Sequence, residues 1–162
     1  MTRSARWIRA TAALATIVAL GAGATAIFAA SVAPVVRDPL ASVDNPVGGK
    51  GRTLGLSRVT IPAGAQIALH HHSGTQIAYV ARGVLSYSVK TGSVTVMHGP
   101  AGGSATIVRR IAAGQTGSIS AGQWIVEQPG TIHRAANDGA APVVIYLATF
   151  FPIGSPPSVP VG

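Results

Sequence analysis

Three of the chain's five histidines lie in Gly64 to Gly83, GAQIALHHHSGTQIAYVARG. On an extended strand successive side chains alternate faces, so His70 and His72 point one way and His71 the other. His133 follows a Pro129-Gly130 turn by three residues and opens another strand-like run in GQWIVEQPGTIHRAAN. If the fold brings these stretches together, three neutral imidazoles form a nitrogen-rich site that suits Zn, Fe, Cu or Ni better than Mg or Ca. Read singly, His70 and His72 are ordinary strand histidines; two on one face with a third to match give the metal reading its force. Gln76 can add a carbonyl oxygen but no charge, either as a fourth ligand or as a hydrogen-bonding spacer. After residue 50 the only acids are Glu127 and Asp138. Asp138 falls in a turn, and Glu127 reads as a solvated strand residue ahead of a ligand or base.

Other chemistries find less support. No serine or threonine has a histidine and an acid paired with it in sequence, which disfavours nucleophilic hydrolysis. With no cysteine, thiolate ligands, disulfides and a thiol nucleophile are all excluded. The formal charge is +8, but Arg3, Arg6 and Arg9 are terminal and the other basic residues are scattered, apart from Arg109-Arg110. Three Tyr, three Phe and two Trp leave little surface for stacking bases, so nucleic acid is not an expected partner.

The elements that must position these residues are short and β-like. From Leu54 onward the runs LGLSRVTI, AQIALHHH, QIAYVA, VLSYSVK, SVTVM, ATIVRRI, GSIS, QWIVE, TIHRAA and PVVIYLATFF alternate with Gly, Pro, Asn and Ser turn signals. Many short strands at close spacing predict an all-β antiparallel sandwich or barrel, and no stretch beyond residue 40 has a helical period. His71 is expected to face away from the site and His98 to sit in a loop. Tyr79 and Trp124 read as core or pocket aromatics, and Asn137 as a turn brace.

These residues carry a resemblance. Gly64-x5-His70-x-His72-x3-Gln76-x6-Gly83 resembles the first cupin motif, G(X)5HXH(X)3-4E(X)6G, with Gln76 in place of the glutamate. Gly122-x5-Gln128-x-Gly130-x2-His133-x3-Asn137 is similar to the second, G(X)5PXG(X)2H(X)3N, with Gln128 in place of the first proline. The resemblance spans roughly residues 54 to 150. It implies a single cupin jelly-roll β-barrel holding a divalent transition metal (Fe, Mn, Zn, Ni or Cu) on His70, His72 and His133, with Gln76 in the remaining motif position. The 38 residues between Gly83 and Gly122 imply an extra hairpin or loop around Met97 to Ser104. A possible homodimer is also implied.

Outside the barrel, MTRSARWIR precedes 27 uncharged residues, Ala10 to Val36. A basic start before a long apolar stretch suits a signal peptide or a transmembrane anchor, with the remainder exported. The expected organisation is therefore 1–36 signal peptide or anchor, 37–53 linker, 54–151 cupin domain and 152–162 a Pro-rich, poorly ordered tail. Two functions fit: an exported metalloenzyme, Fe-dependent dioxygenase-like or other, acting on a small molecule, or a non-catalytic small-ligand-binding module with structural or no metal.

Overall fold

The computed structural model describes residues 31–100 and 103–162. Residues 1–30, which hold most of the expected signal peptide or anchor, lie outside them. Among the described residues no helix is long and apolar enough to cross a membrane.

Among the described residues every regular element is a strand: β1 Val36–Asp44, β2 Arg52–Ile61, β3 Gln66–His71, β4 Thr75–Arg82, β5 Val84–Thr91, β6 Ser93–His98, β7 Thr106–Ala112, β8 Thr116–Ser120, β9 Gln123–Glu127, β10 Ile132–Ala136, β11 Val143–Pro152 and β12 Val159–Pro160. The ten runs read from the sequence correspond to β2 through β11, with boundaries displaced by at most two residues. They are visible because apolar residues recur at every second position and glycines close the turns. At Gly83, for example, φ is +82°, and a Cβ would lie 3.0 Å from the Val143 side chain. The backbone conformation and the close packing both call for glycine there.

Two antiparallel sheets face each other, a seven-stranded one in the order β1-β2-β11-β4-β9-β6-β7 and a five-stranded one in the order β12-β3-β10-β5-β8. Their inner faces interdigitate through residues such as Val59, Ile61, Val80, Leu85, Ile125 and Ile145, all under 5% exposed. Burying side chains of this size contributes roughly 1.5–3 kcal/mol each, the main force holding the sheets together. The hairpin expected near Met97 is the β6–β7 pair.

Two boundaries are corrected. The segment expected to be a linker, 37–53, instead supplies β1, paired with β2 from Val36↔Thr60 to Asp44↔Thr53. Val35, inside the expected signal or anchor segment, packs against the core. Polar residues and Pro39 hide this strand from a periodicity reading, because none of its residues is fully buried and its side chains therefore need not alternate. The Pro-rich tail is also no loose end. β12 pairs with β3 at Val159↔His71, and Val161 N donates to Leu69 O at 3.0 Å. The domain thus extends from β1 to β12, beyond the expected limits of 54 and 151.

Candidate metal centre

Two cross-strand pairs build the site, one on each sheet. On the five-stranded sheet His70 of β3 lies opposite His133 of β10. On the seven-stranded sheet Gln76 of β4 lies opposite Glu127 of β9. All four side chains are buried, and His72, just past β3, joins them. The structure therefore brings together the four residues singled out in the two motifs and adds one that was set aside. Glu127 is 3% exposed, not a solvated strand residue. Its alternation with Ile125, which is fully buried, was the available signal: residues two apart on a strand share a face.

The histidines are oriented by their Nδ1 atoms. His70 Nδ1 donates to Ala68 O at 2.7 Å, His72 Nδ1 to Pro157 O at 2.9 Å, and His133 Nδ1 to Thr131 O at 3.3 Å. A carbonyl oxygen only accepts, so each Nδ1 carries the hydrogen and each neutral ring keeps its lone pair on Nε2. One ligand nitrogen from each ring lies within 4.8 Å of the other two, close enough for small side-chain rotations to bring all three onto one ion. Phe151 stacks on His72 with centroids 5.6 Å apart, and Tyr87 on His133 at 5.0 Å.

Glu127 sits against these lone pairs. Its Oε2 is 3.4 Å from His72 Nε2 and its Oε1 3.2 Å from His133 Nε2. Two acceptors facing each other in a dry interior repel unless a proton or a cation lies between them. Donors brace the carboxylate from its other side: Tyr87 Oη donates to Oε1 at 2.8 Å, and Gln76 Nε2 donates to Oε2. That leaves Gln76 Oε1 buried without a partner. Gln76 Nε2 also lies 3.3 Å from His72 Nε2. Three imidazole nitrogens gathered within 4.8 Å, with a buried carboxylate against two of them, fit a transition-metal ion.

The electrostatics agree. Burial lowers the pKa of His70, and it brings that of His133 down to about 4 despite the pull of Glu127 in the other direction. Burial also drives Glu127 upward, but a hydrogen bond from His72, the positive charge of His133 and His72 in their protonated forms and the Tyr87 hydroxyl pull the carboxylate well below its ordinary range; the low value therefore belongs to a state in which a proton lies between carboxylate and ring, the place a cation would take. Tyr87 is pushed strongly upward, by burial first and by the Glu127 charge second, and stays a donor. Burial thus favours neutral His70 and His133, the form in which an imidazole binds a metal ion.

The internal cavity at this point is about 30 Å³, room for little more than an ion or a water, and Arg37 of β1 shares its lining. A second pocket of about 220 Å³ opens at the same end, between the inner face of β1, β2 and β11 and the tail. Other expectations resolve simply. His71 points away from the centre, and its ring reaches only its neighbour's carbonyl, 3.5 Å from His72 O. His98 ends β6, exposed. Tyr79 and Trp124 pair across β4 and β9 on the outer face, not in the core, and line a surface pocket of about 260 Å³ with Ile77, Gly99 and Pro100. Asn137 braces its turn, donating to Ile61 O and Ala141 O and accepting from Gly139 N.

Neither a protein-family model nor a curated protein sequence matches the chain. Among solved structures, a cupin 2 domain-containing protein from Halorhodospira halophila is similar at 13% identity over 80% of this chain and 71% of that one, with a TM-score of 0.51. A Cupin 2 conserved barrel domain protein from Salinispora arenicola aligns at 13% identity over 74% and 76%, TM-score 0.47. A salicylate 1,2-dioxygenase mutant from Pseudoaminobacter salicylatoxidans aligns at 12% identity over 71% of this chain and 26% of that one, TM-score 0.47. At such identities a likeness speaks to architecture alone, and that to the Halorhodospira halophila protein, with the two-sheet topology, gives the conclusion that this chain has a cupin-type jelly-roll fold.

Proposed function

We propose that this chain is a metal-binding cupin-type protein that acts on or holds a small molecule next to a divalent transition metal. His70, His72 and His133 bind the ion through Nε2, Glu127 supplies the carboxylate, and Gln76 positions that carboxylate and can offer its free Oε1. The observation that carries this reading is that three buried histidines place ligand nitrogens within 4.8 Å of one another, with the buried Glu127 carboxylate 3.4 Å from His72 Nε2 and 3.2 Å from His133 Nε2. Bound there, a metal supplies Lewis acidity or a centre for O2 chemistry, as the dioxygenase-like reading requires. The chain's own residues fix the ligand tautomers and exclude water. Three arginines ahead of 27 uncharged residues support export of the domain. Recovery of the whole chain from the cytoplasmic fraction would refute that placement.

The test is metal analysis of the full chain, purified without a polyhistidine tag or a metal column after growth with Fe, Mn, Zn, Ni and Cu. Near-stoichiometric metal, lost in His133→Ala, is the expected result. Absence of metal from the unmodified protein refutes the proposal.

A further inference from the structure

Arg37 is the cation that joins the two cavities. From β1 it lines the 30 Å³ metal cavity with His70, His72, His133 and Glu127, and also the 220 Å³ mouth pocket with Ser57, Thr149, Phe151 and Pro157. Its side chain is part-buried, yet among the described residues its one side-chain hydrogen bond is a long contact from Nη1 to Ser57 Oγ at 3.5 Å. A guanidinium has five N–H donors in a planar fork, so most of this one's capacity is unused.

No acid of the chain is its ion-pair partner. There are four acids in all. Asp38 pairs with Arg58 at 2.9 Å, Asp44 accepts from Thr53 Oγ1, Glu127 is braced by Tyr87 and Gln76, and Asp138 is exposed in the β10–β11 turn. With the metal reading granted, the centre has two positive charges from the ion, one negative from Glu127, one positive from Arg37 and none from the imidazoles. A part-buried site with that surplus attracts an anion. The mouth pocket is smaller than the range of roughly 300–1,000 Å³ typical of drug-sized ligands, so the anion is small.

We propose that Arg37 is the specificity-determining residue of the site, holding the carboxylate of a small organic acid by its guanidinium fork in the mouth pocket, with the rest of the ligand directed at the metal cavity. This rests on the metal reading for the charge surplus and for where the rest of the ligand is directed; the unused fork and the pocket belong to the polypeptide.

Calorimetric titration of the full chain, metal-loaded and metal-free, with propionate, pyruvate and benzoate against propionamide, pyruvamide and benzamide near neutral pH tests it. At least one acid is expected to bind about tenfold or more tightly than its own amide, as a charge-assisted fork should provide. Arg37→Gln should erase that preference and Arg37→Lys keep only part of it, with metal content equal to that of the unmodified protein and an unchanged melting curve. Acids that bind no better than their amides, or not at all, overturn the proposal, as does a preference that survives in Arg37→Gln. If the protein takes up no metal but still prefers acids through Arg37, the metal reading fails and the carboxylate site stands; loaded protein without the preference is the converse.

Discussion

Replacing Glu127 by glutamine separates a ligand from a structural prop, because the two roles predict opposite signs in the metal-free protein. Glutamine has the same shape without the charge. Tyr87 Oη would still find an amide oxygen, and the Gln76 amide can turn so that its orphaned Oε1 accepts from the new side-chain N–H. The change also removes a buried charge that faces two lone-pair nitrogens at 3.2 and 3.4 Å. Burying such an ion costs several kcal/mol when no cation pairs with it, so metal-free Glu127→Gln should be at least as stable as the parent at a pH where the facing histidines are neutral, and less stable once one of them is protonated and pairs with the carboxylate. In the loaded protein the sign reverses. Loss of even an outer-shell partner costs about 10–100-fold in metal affinity, and loss of an anionic ligand should cost no less. That is about 1.4–2.7 kcal/mol of metal-dependent stabilisation. At about 2–4 °C per kcal/mol for a chain of this size, the metal-induced rise in Tm should shrink by roughly 3–10 °C. Thermal melts with and without metal, beside competition against a chromophoric chelator, measure both quantities. Unchanged metal affinity in Glu127→Gln would refute the ligand assignment. A metal-free variant several kcal/mol less stable than the parent would show that Glu127 serves the fold through its charge.

Two further outcomes follow from the same geometry. Ending the chain after Ser155 removes β12 and the Pro157 carbonyl that fixes the His72 tautomer, so metal affinity should fall about 10–100-fold while the β-rich far-UV spectrum persists; equal affinity in a chelator competition would show that the tail does not orient His72. Stability of the metal-free protein should decline as pH falls from about 6.5 toward 4, because the unfolded chain takes up the protons that His133 and His70 refuse when folded. A drop in the His133 pKa from 6.5 to about 4 is worth roughly 3 kcal/mol, present in full above the unfolded value and gone below the folded one; denaturant titrations that are flat across that window would contradict the buried, neutral assignment.

How much of this was legible beforehand depends on which interactions are local. Strand alternation and glycine turns are written within a few residues of each other, which is why β2 through β11 could be read off directly. The three histidines were legible for a related reason: two share a strand face, and the third follows a Pro-Gly turn in a second motif. β1 and β12 were not, since β1 is largely exposed along its length and β12 is only two residues long, so neither carries a pattern of its own. Proline-rich and polar sequence around residues 37–53 and 152–162 reads as loop until the β2 and β3 backbones are there to pair with it.

The most consequential illegible feature is the carboxylate. In the motif that Gly64 to Gly83 resembles, a glutamate stands where this chain has Gln76, and read along the sequence that is a lost charge. In the folded chain Gln76 and Glu127 are direct cross-strand partners, 51 residues apart in sequence. Neighbouring strands lie about 4.8 Å apart, so moving the acid one strand sideways returns its oxygens to nearly the same region of the cavity. The centre therefore keeps one negative charge, and the residue at position 76 changes from carboxylate to donor, steadying the relocated oxygen with its amide N–H. Such an exchange is consistent only as a pair. Gln76→Glu would set two carboxylates against each other in the interior, and Glu127→Gln alone would leave none. The register that couples β4 to β9 is thus what turns an apparent departure from the motif into a site with its charge intact.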